Sequence, residues 1–231
     1  MNQQESYLPD IRLFQVTDSA FPSGSFAFSY GLESMAKLGR IRDVADFRKY
    51  MFNVLTQISR SEMPFVNSGY NSALEFRQSL APVMEMLDAF ITIPCLHKAS
   101  IMQGKVLLQV MKMVYPEHDF VDVMSWFQLN ELSTHYAPLF GIVCRVIGFT
   151  HRETLSAYAY ISLRDQISAA IKLGMFGPHK AQGILQEVLR NVSAEINLVK
   201  KLEYYEAYRI ALALEIAQAN HPGLYSRLFQ N

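Results

Sequence analysis

Side chains suited to catalysis or metal binding are few in this chain, and they are scattered. Six histidines stand at His97, His118, His135, His151, His179 and His221. No two have the close spacing that sets two imidazoles on one helix face, so zinc-hydrolase chemistry has no footing. Cys95 and Cys144 each lie in an apolar run with no partner at metal-site spacing, which fits buried thiols in a reducing compartment. The nearest approach to a nucleophile is the run Ala27, Phe28, Ser29, Tyr30, Gly31. It is similar to the elbow that exposes a catalytic serine but lacks the first glycine and a preceding strand, so Ser29 reads as a residue that starts or caps a helix. The paired acids Glu85 with Asp88 and Glu203 with Glu206 sit on polar helix faces and read as solvated surface. With no phosphate loop and no dinucleotide fingerprint, neither a nucleotide, a cofactor nor a tight metal site is expected, and the chain reads as a non-enzyme.

Whatever these side chains do, helices must position them. Apolar residues recur every three or four positions: Val44, Phe47, Met51, Leu55, Ile58; Ala99, Met102, Val106, Val110, Met113; Leu155, Ala159, Leu163, Ile167, Ala170; Leu185, Val188, Val192, Ile196, Val199; Ala207, Ile210, Leu214, Ala217. Asp43 is placed to cap the helix at Val44, Thr150 with Glu153 forms a capping-box pattern, and Pro82 suits a first helical turn. Breaks fall near Pro22, Pro94, Pro116, Gly148 and at 174–178. Strand alternation is scarce, and no linker divides the chain. The prediction is an all-α, single-domain bundle of about ten helices spanning residues 1–231. Half of the 231 residues are hydrophobic, enough for a core that needs no disulfide or metal.

Charge excludes further classes. Lysine plus arginine (21) equals aspartate plus glutamate (21), so no global field attracts nucleic acid or an anionic membrane. No apolar stretch has the length of a membrane span, and the first residues lack the layout of a signal peptide, so a cytoplasmic protein is expected. Eleven methionines and 12% aromatic residues favour association with other proteins.

Three segments are locally unusual. Residues 13–34 interrupt a helical pattern with a Pro-Ser-Gly turn and crowd Phe21, Phe26, Phe28 and Tyr30 around small residues, a packed corner or a rigid aromatic platform for a partner. Residues 171–182 end one helix at Gly174 and start another near Pro178, leaving Met175 and Phe176 on a short connector. The last eleven residues, 221–231, carry Leu224, Tyr225, Leu228 and Phe229 around Arg227. The spacing of these side chains gathers them on one side of a helical turn, so the tail should dock, either on its own domain or in a partner's groove.

Taken together, these segments make the chain resemble the urease accessory protein UreF family along essentially its whole length. The opening is similar to the family pattern Q-x-x-D-S-x-x-P-x-G-S-F-x-x-S-x-G-L-E through Gln15, Asp18, Ser19, Pro22, Gly24, Ser25, Phe26, Ser29, Gly31, Leu32 and Glu33. The middle resembles its R-L-G-x-x-G-x-x-x-x-Q block through Leu173, Gly174, Gly177 and Gln182. The end resembles its H-x-x-L-Y-S-R-L-F tail through His221, Leu224, Tyr225, Ser226, Arg227, Leu228 and Phe229. Phe28, Lys172 and Pro222 depart from the residues common there.

The resemblance implies a non-enzymatic maturation chaperone, homodimeric, that binds UreD (also called UreH). This pair would recruit the GTPase UreG to apo-urease for nickel insertion and modulate its GTPase activity. It assigns partner binding to Phe26, Tyr30, Glu33, Lys172, Leu224, Tyr225, Arg227, Leu228 and Phe229. The motif glycines and polar residues, Gln15, Asp18, Ser19, Pro22, Gly24, Ser25, Gly31, Gly174, Gly177 and Gln182, are expected to shape the scaffold. Two alternatives remain at this point: a direct GTPase activator using Lys172 or Arg227 as its finger, and a helical hydrolase using Ser29.

Overall fold

A computed structural model describes residues 8–22 and 29–229. Among the described residues eleven α-helices follow one another: α1 Leu8–Thr17, α2 Leu32–Lys37, α3 Val44–Ser61, α4 Met63–Ser72, α5 Phe76–Phe90, α6 Pro94–Val114, α7 Phe120–Leu129, α8 Tyr136–Val146, α9 His151–Lys172, α10 Pro178–Val199 and α11 Leu212–Asn220. Short 3-10 turns lie at Tyr204–Glu206 and His221–Gly223, and there is no strand among the described residues. The all-α, single-domain expectation of about ten helices therefore holds. No helix among the described residues is long and apolar enough to cross a membrane.

The bundle is built around α8, which is buried from Tyr136 through Cys144. A helix apolar on all sides can sit only in the interior. It meets α4 backbone to backbone because both contribute glycine at the crossing: a methyl at Gly69 would overlap the Pro138 carbonyl, and one at Gly141 the Val66 carbonyl. Around this pair, α3 buries Phe47, Tyr50, Met51, Val54, Leu55 and Ile58, and α10 buries Leu185, Val188, Val192, Ile196 and Val199, the stripes their periodicity marks. The caps also agree. The Asp43 side chain accepts the Asp46 amide at 2.9 Å, and Thr150 with Glu153 completes a capping box at the start of α9.

Three local readings need correction. Residues 207–211 are not helical. The Tyr208 amide donates to the Arg60 carbonyl at 3.1 Å, and the Ile210 and Ala211 amides donate to Gln57 Oε1 at 2.9 and 2.8 Å. Partners on α3 take the amides that a helix would have used, so α11 starts only at Leu212. On α6, Met102 and Met113 are 56% and 72% exposed; eleven residues apart on an α-helix, they share one outward stripe. Pro82 lies well inside α5 rather than in its first turn. Gln78, whose carbonyl loses its partner to the proline ring, is exposed, so water can replace the missing amide.

Candidate functional site

On either side of residues 23–28, backbone conformation sets the end of α1 and the start of α2. The Asp18 side chain accepts the Ala20 amide at 2.6 Å, an Asx turn that ends α1. Tyr30 and Gly31 then adopt φ of 51° and 84°, two successive left-handed residues that fold α2 back onto α11. Gly31 abuts Gln218, Ala217 and the Leu214 carbonyl, so a side chain there would be both strained and crowded. The reversal drives Leu32, Glu33 and Ser34 into the interior, each with no exposed surface.

Glu33 is thus a buried carboxylate, and the carboxy-terminal tail supplies its partners. Oε1 accepts the Leu228 amide at 2.8 Å and Oε2 the Phe229 amide at 3.1 Å. His221 Nε2 lies 2.9 Å from Oε2, and Lys37 Nζ 2.9 Å from Oε1. Burial alone would raise the Glu33 pKa, but donation from Lys37, the Leu228 amide, His221 and the Phe229 amide outweighs it and holds the pKa at about 2. Lys37 also donates to the Ser226 carbonyl. The tail is therefore clipped to α2 from Ser226 to Phe229. The Phe229 ring is buried, with Lys172 Nζ 5.5 Å from its centroid, so the clip spans from α2 to the end of α9.

This geometry corrects the helical-turn reading of the tail. Beyond the 3-10 turn at His221–Gly223 the chain is irregular, because Glu33 rather than a carbonyl one turn back receives the Leu228 and Phe229 amides. The apolar side chains consequently diverge. Phe229 points inward, Leu224 is half-buried, and Tyr225, Arg227 and Leu228 face solvent. Tyr225 is fully exposed, and Leu228 is 60% exposed.

Beneath the corner lies a cavity of roughly 150 Å³ whose lining includes Tyr30, Gln57, Glu62, Tyr158, Asp165 and Arg209. The Tyr30 and Tyr158 hydroxyls donate to the two Glu62 oxygens at 2.7 and 2.6 Å. Burial nevertheless pushes the Glu62 pKa up, against the two tyrosines and Arg209. Tyr50 ties this region to the corner, its hydroxyl donating to Gln166 Oε1 at 2.6 Å beside the Ser29 carbonyl at 3.2 Å. These groups fix one another, but none is a nucleophile with a general base at hand. Ser29 is fully buried and its Oγ receives the Glu33 amide at 3.5 Å, a helix-start role. Cys144 is buried, and desolvation pushes its thiol pKa up, away from reactivity.

The other expected positions fall as follows. Phe26, Gly24 and Ser25 lie outside the described residues. Gln15 accepts the Tyr115 hydroxyl at 2.9 Å, while Ser19 and Pro22 are exposed. Gly174 has φ of 68° and ends α9 in a Schellman arrangement, with the Met175 amide bonded to the Ala170 carbonyl at 3.0 Å. Gly177 precedes Pro178 at the start of α10, and Gln182 is exposed on that helix, outside the Glu33 network. Phe176 turns inward, its ring 5.1 Å from that of Phe47. Glu33, Leu228, Phe229 and Lys172 are thus brought together.

Sequence reasoning missed the pairing of Glu33 with His221 and the tyrosine-bound Glu62, which carries no local signal. It also missed a third group, in which His97 Nε2 and His135 Nε2 lie 2.9 and 3.0 Å from the same Asp88 oxygen.

Comparison with known proteins gives a consistent result. A family model described as UreF matches residues 41–189. A urease accessory protein F of Oryza sativa subsp. indica is 31% identical over 221 residues, covering 94% of this chain and 83% of that protein. Its counterpart in Arabidopsis thaliana is 29% identical over 219 residues, covering 94% and 90%. A urease accessory protein UreF of Paenarthrobacter aurescens is 26% identical over 226 residues, covering 96% and 97%.

Proposed function

Because the chain belongs to the UreF family of urease accessory proteins, we propose that it serves urease maturation as a non-catalytic adaptor whose clipped tail docks on UreD (UreH). The resulting pair recruits the GTPase UreG to apo-urease for nickel insertion, with a homodimer of this chain as the working form. The observation that carries the reading is the Glu33 clip. A buried carboxylate holds the tail backbone in one path and leaves Tyr225, Arg227 and Leu228 facing outward, an aromatic, a guanidinium and an aliphatic side chain presented together on a fixed support. Aromatic and arginine side chains of this kind dominate protein interfaces, and holding them in place before binding lowers the ordering cost.

Within this reading Glu33, Lys172 and Phe229 act indirectly. They hold the tail, while Leu224, Tyr225, Arg227 and Leu228 meet the partner. Lys172 lies over the Phe229 ring, and the burial of Ser29 leaves the hydrolase reading without an accessible nucleophile. The test is co-purification with UreD. Arg227→Ala and Tyr225→Ala should fold as the wild type does, yet lose UreD. Full retention of UreD by both variants would overturn the docking role. Removing 222–231 is a poorer test, since it also takes away Phe229 and two of the amides that Glu33 requires.

A further inference from the structure

We propose that Asp88, His97 and His135 form a binding site for one divalent first-row transition ion of the imidazole-preferring kind, Zn²⁺, Ni²⁺ or Co²⁺. The residues come from three elements: Asp88 from the end of α5, His97 from the first turn of α6 after Pro94, and His135 from the cap position of α8. One ligand atom from each lies within 4.8 Å of the other two. Both imidazoles aim Nε2 at the same carboxylate oxygen, and their rings stand nearly perpendicular, 82° apart, with centroids 5.2 Å apart. Ligands around a tetrahedral ion with bonds of about 2.0–2.1 Å sit roughly 3.3 Å from one another. The separations of 2.9 and 3.0 Å from Asp88 therefore need to open by only a few tenths of an ångström.

The surroundings support ligation. His135 is fully buried, and its Nδ1 lies 3.0 Å from Ser100 Oγ. A metal-bound imidazole needs such a partner, because the proton displaced from Nε2 must reside on Nδ1 and be accepted there. Ser100 supplies the acceptor oxygen, so neutral His135 changes tautomer on binding without net loss of a proton. The backbone that carries His135 is pinned as well, since Gly104 of α6 packs directly against the Thr134 carbonyl. On the open side, the Asp88 and His97 side chains are 46% and 29% exposed, which gives the ion a route in and leaves coordination positions for water. Two imidazoles with a single carboxylate suit neither Mg²⁺ nor Ca²⁺, which require oxygen donors. The site runs against the expectation, drawn from scattered histidines, that no tight metal site exists.

The test uses the full chain after chelator treatment. Co²⁺ titration should give a visible d–d absorption that saturates at one ion per chain, and Zn²⁺ or Ni²⁺ should displace it. His97→Ala, a change at a partly exposed position, should weaken binding by at least about tenfold, whereas His179→Ala, at an exposed histidine outside the cluster, should leave it unchanged. The ion should also raise the melting temperature of the wild type and not that of His97→Ala. The proposal is overturned if the wild type shows no saturable binding at micromolar ion, or if His97→Ala binds as tightly as the wild type.

Discussion

Replacing Glu33 by glutamine should release the tail, and the size of the effect can be worked out from the geometry. The wild-type carboxylate receives two backbone amides, Lys37 and His221, and its pKa falls from 4.5 to about 2. At 1.36 kcal/mol per pH unit, this corresponds to roughly 3 kcal/mol of stabilisation of the clipped state. Glutamine keeps the shape but removes the charge and turns one end of the group into a donor, facing donors. The loss need not unfold the domain, because the tail can detach first and limit the damage to a local opening. Trypsin reports that opening, since cleavage after Arg227 requires the following amides to leave Glu33. If cleavage follows the open population, Glu33→Gln should accelerate it on the order of a hundredfold, read as loss of residues 228–231 by mass spectrometry. The sign with pH is also fixed. The folded pKa is depressed, so the contribution is complete above pH 4.5 and fades as pH falls toward 2, and the stability difference between wild type and variant should shrink over that window. Unchanged cleavage at Arg227 together with unchanged stability in Glu33→Gln would refute the clip.

Glu62→Gln should behave in the opposite way. Burial raises the Glu62 pKa, so the folded chain holds that proton more tightly than the unfolded chain and Glu62 detracts from stability as pH rises above the usual carboxylate range. The variant should therefore gain on wild type as pH rises above about 4.5, read by denaturant midpoint, and a pH-independent difference would contradict this. Gly31→Ala places a Cβ at φ of 84°, 3.2 Å from Gln218 and 3.3 Å from Ala217. It should lose about 1–3 kcal/mol and free the start of α2, measured by denaturation and amide exchange. Gly69→Ala puts a methyl into the Pro138 carbonyl and should prevent the α4 and α8 backbones from meeting, leaving little folded protein by circular dichroism; a melting temperature within a few degrees of wild type would argue against that contact.

Where sequence and structure agree, the causes are local. The stripes of α3, α9 and α10, the Asp43 and Thr150 caps and the Gly174 stop depend on residues within a turn or two of one another, and a single chain displays them. The failures share a different cause. Residues 207–211 have a helical pattern of apolar residues, but Gln57 and Arg60 of α3 claim their amides. The tail has helical spacing, but Glu33, 195 residues away from Leu228, claims its amides. Both motifs were visible in the sequence, and their contact was not, because nothing in the spacing says that a carboxylate near the start will be buried against the end. The same holds for Asp88 and His135, 47 positions apart, which read separately as solvated surface and a lone histidine.

The nickel content of urease distinguishes a chain that serves maturation by presenting a clipped tail to a partner, as proposed, from one that does not. Urease would be purified from cells that lack their own accessory protein F and carry either this chain or its Arg227→Ala variant, alongside UreD and UreG. Urease should be nickel-loaded with the wild-type chain and nickel-poor with an Arg227→Ala protein that is folded and equally abundant. Equal nickel loading by both chains would contradict the proposed role of the tail.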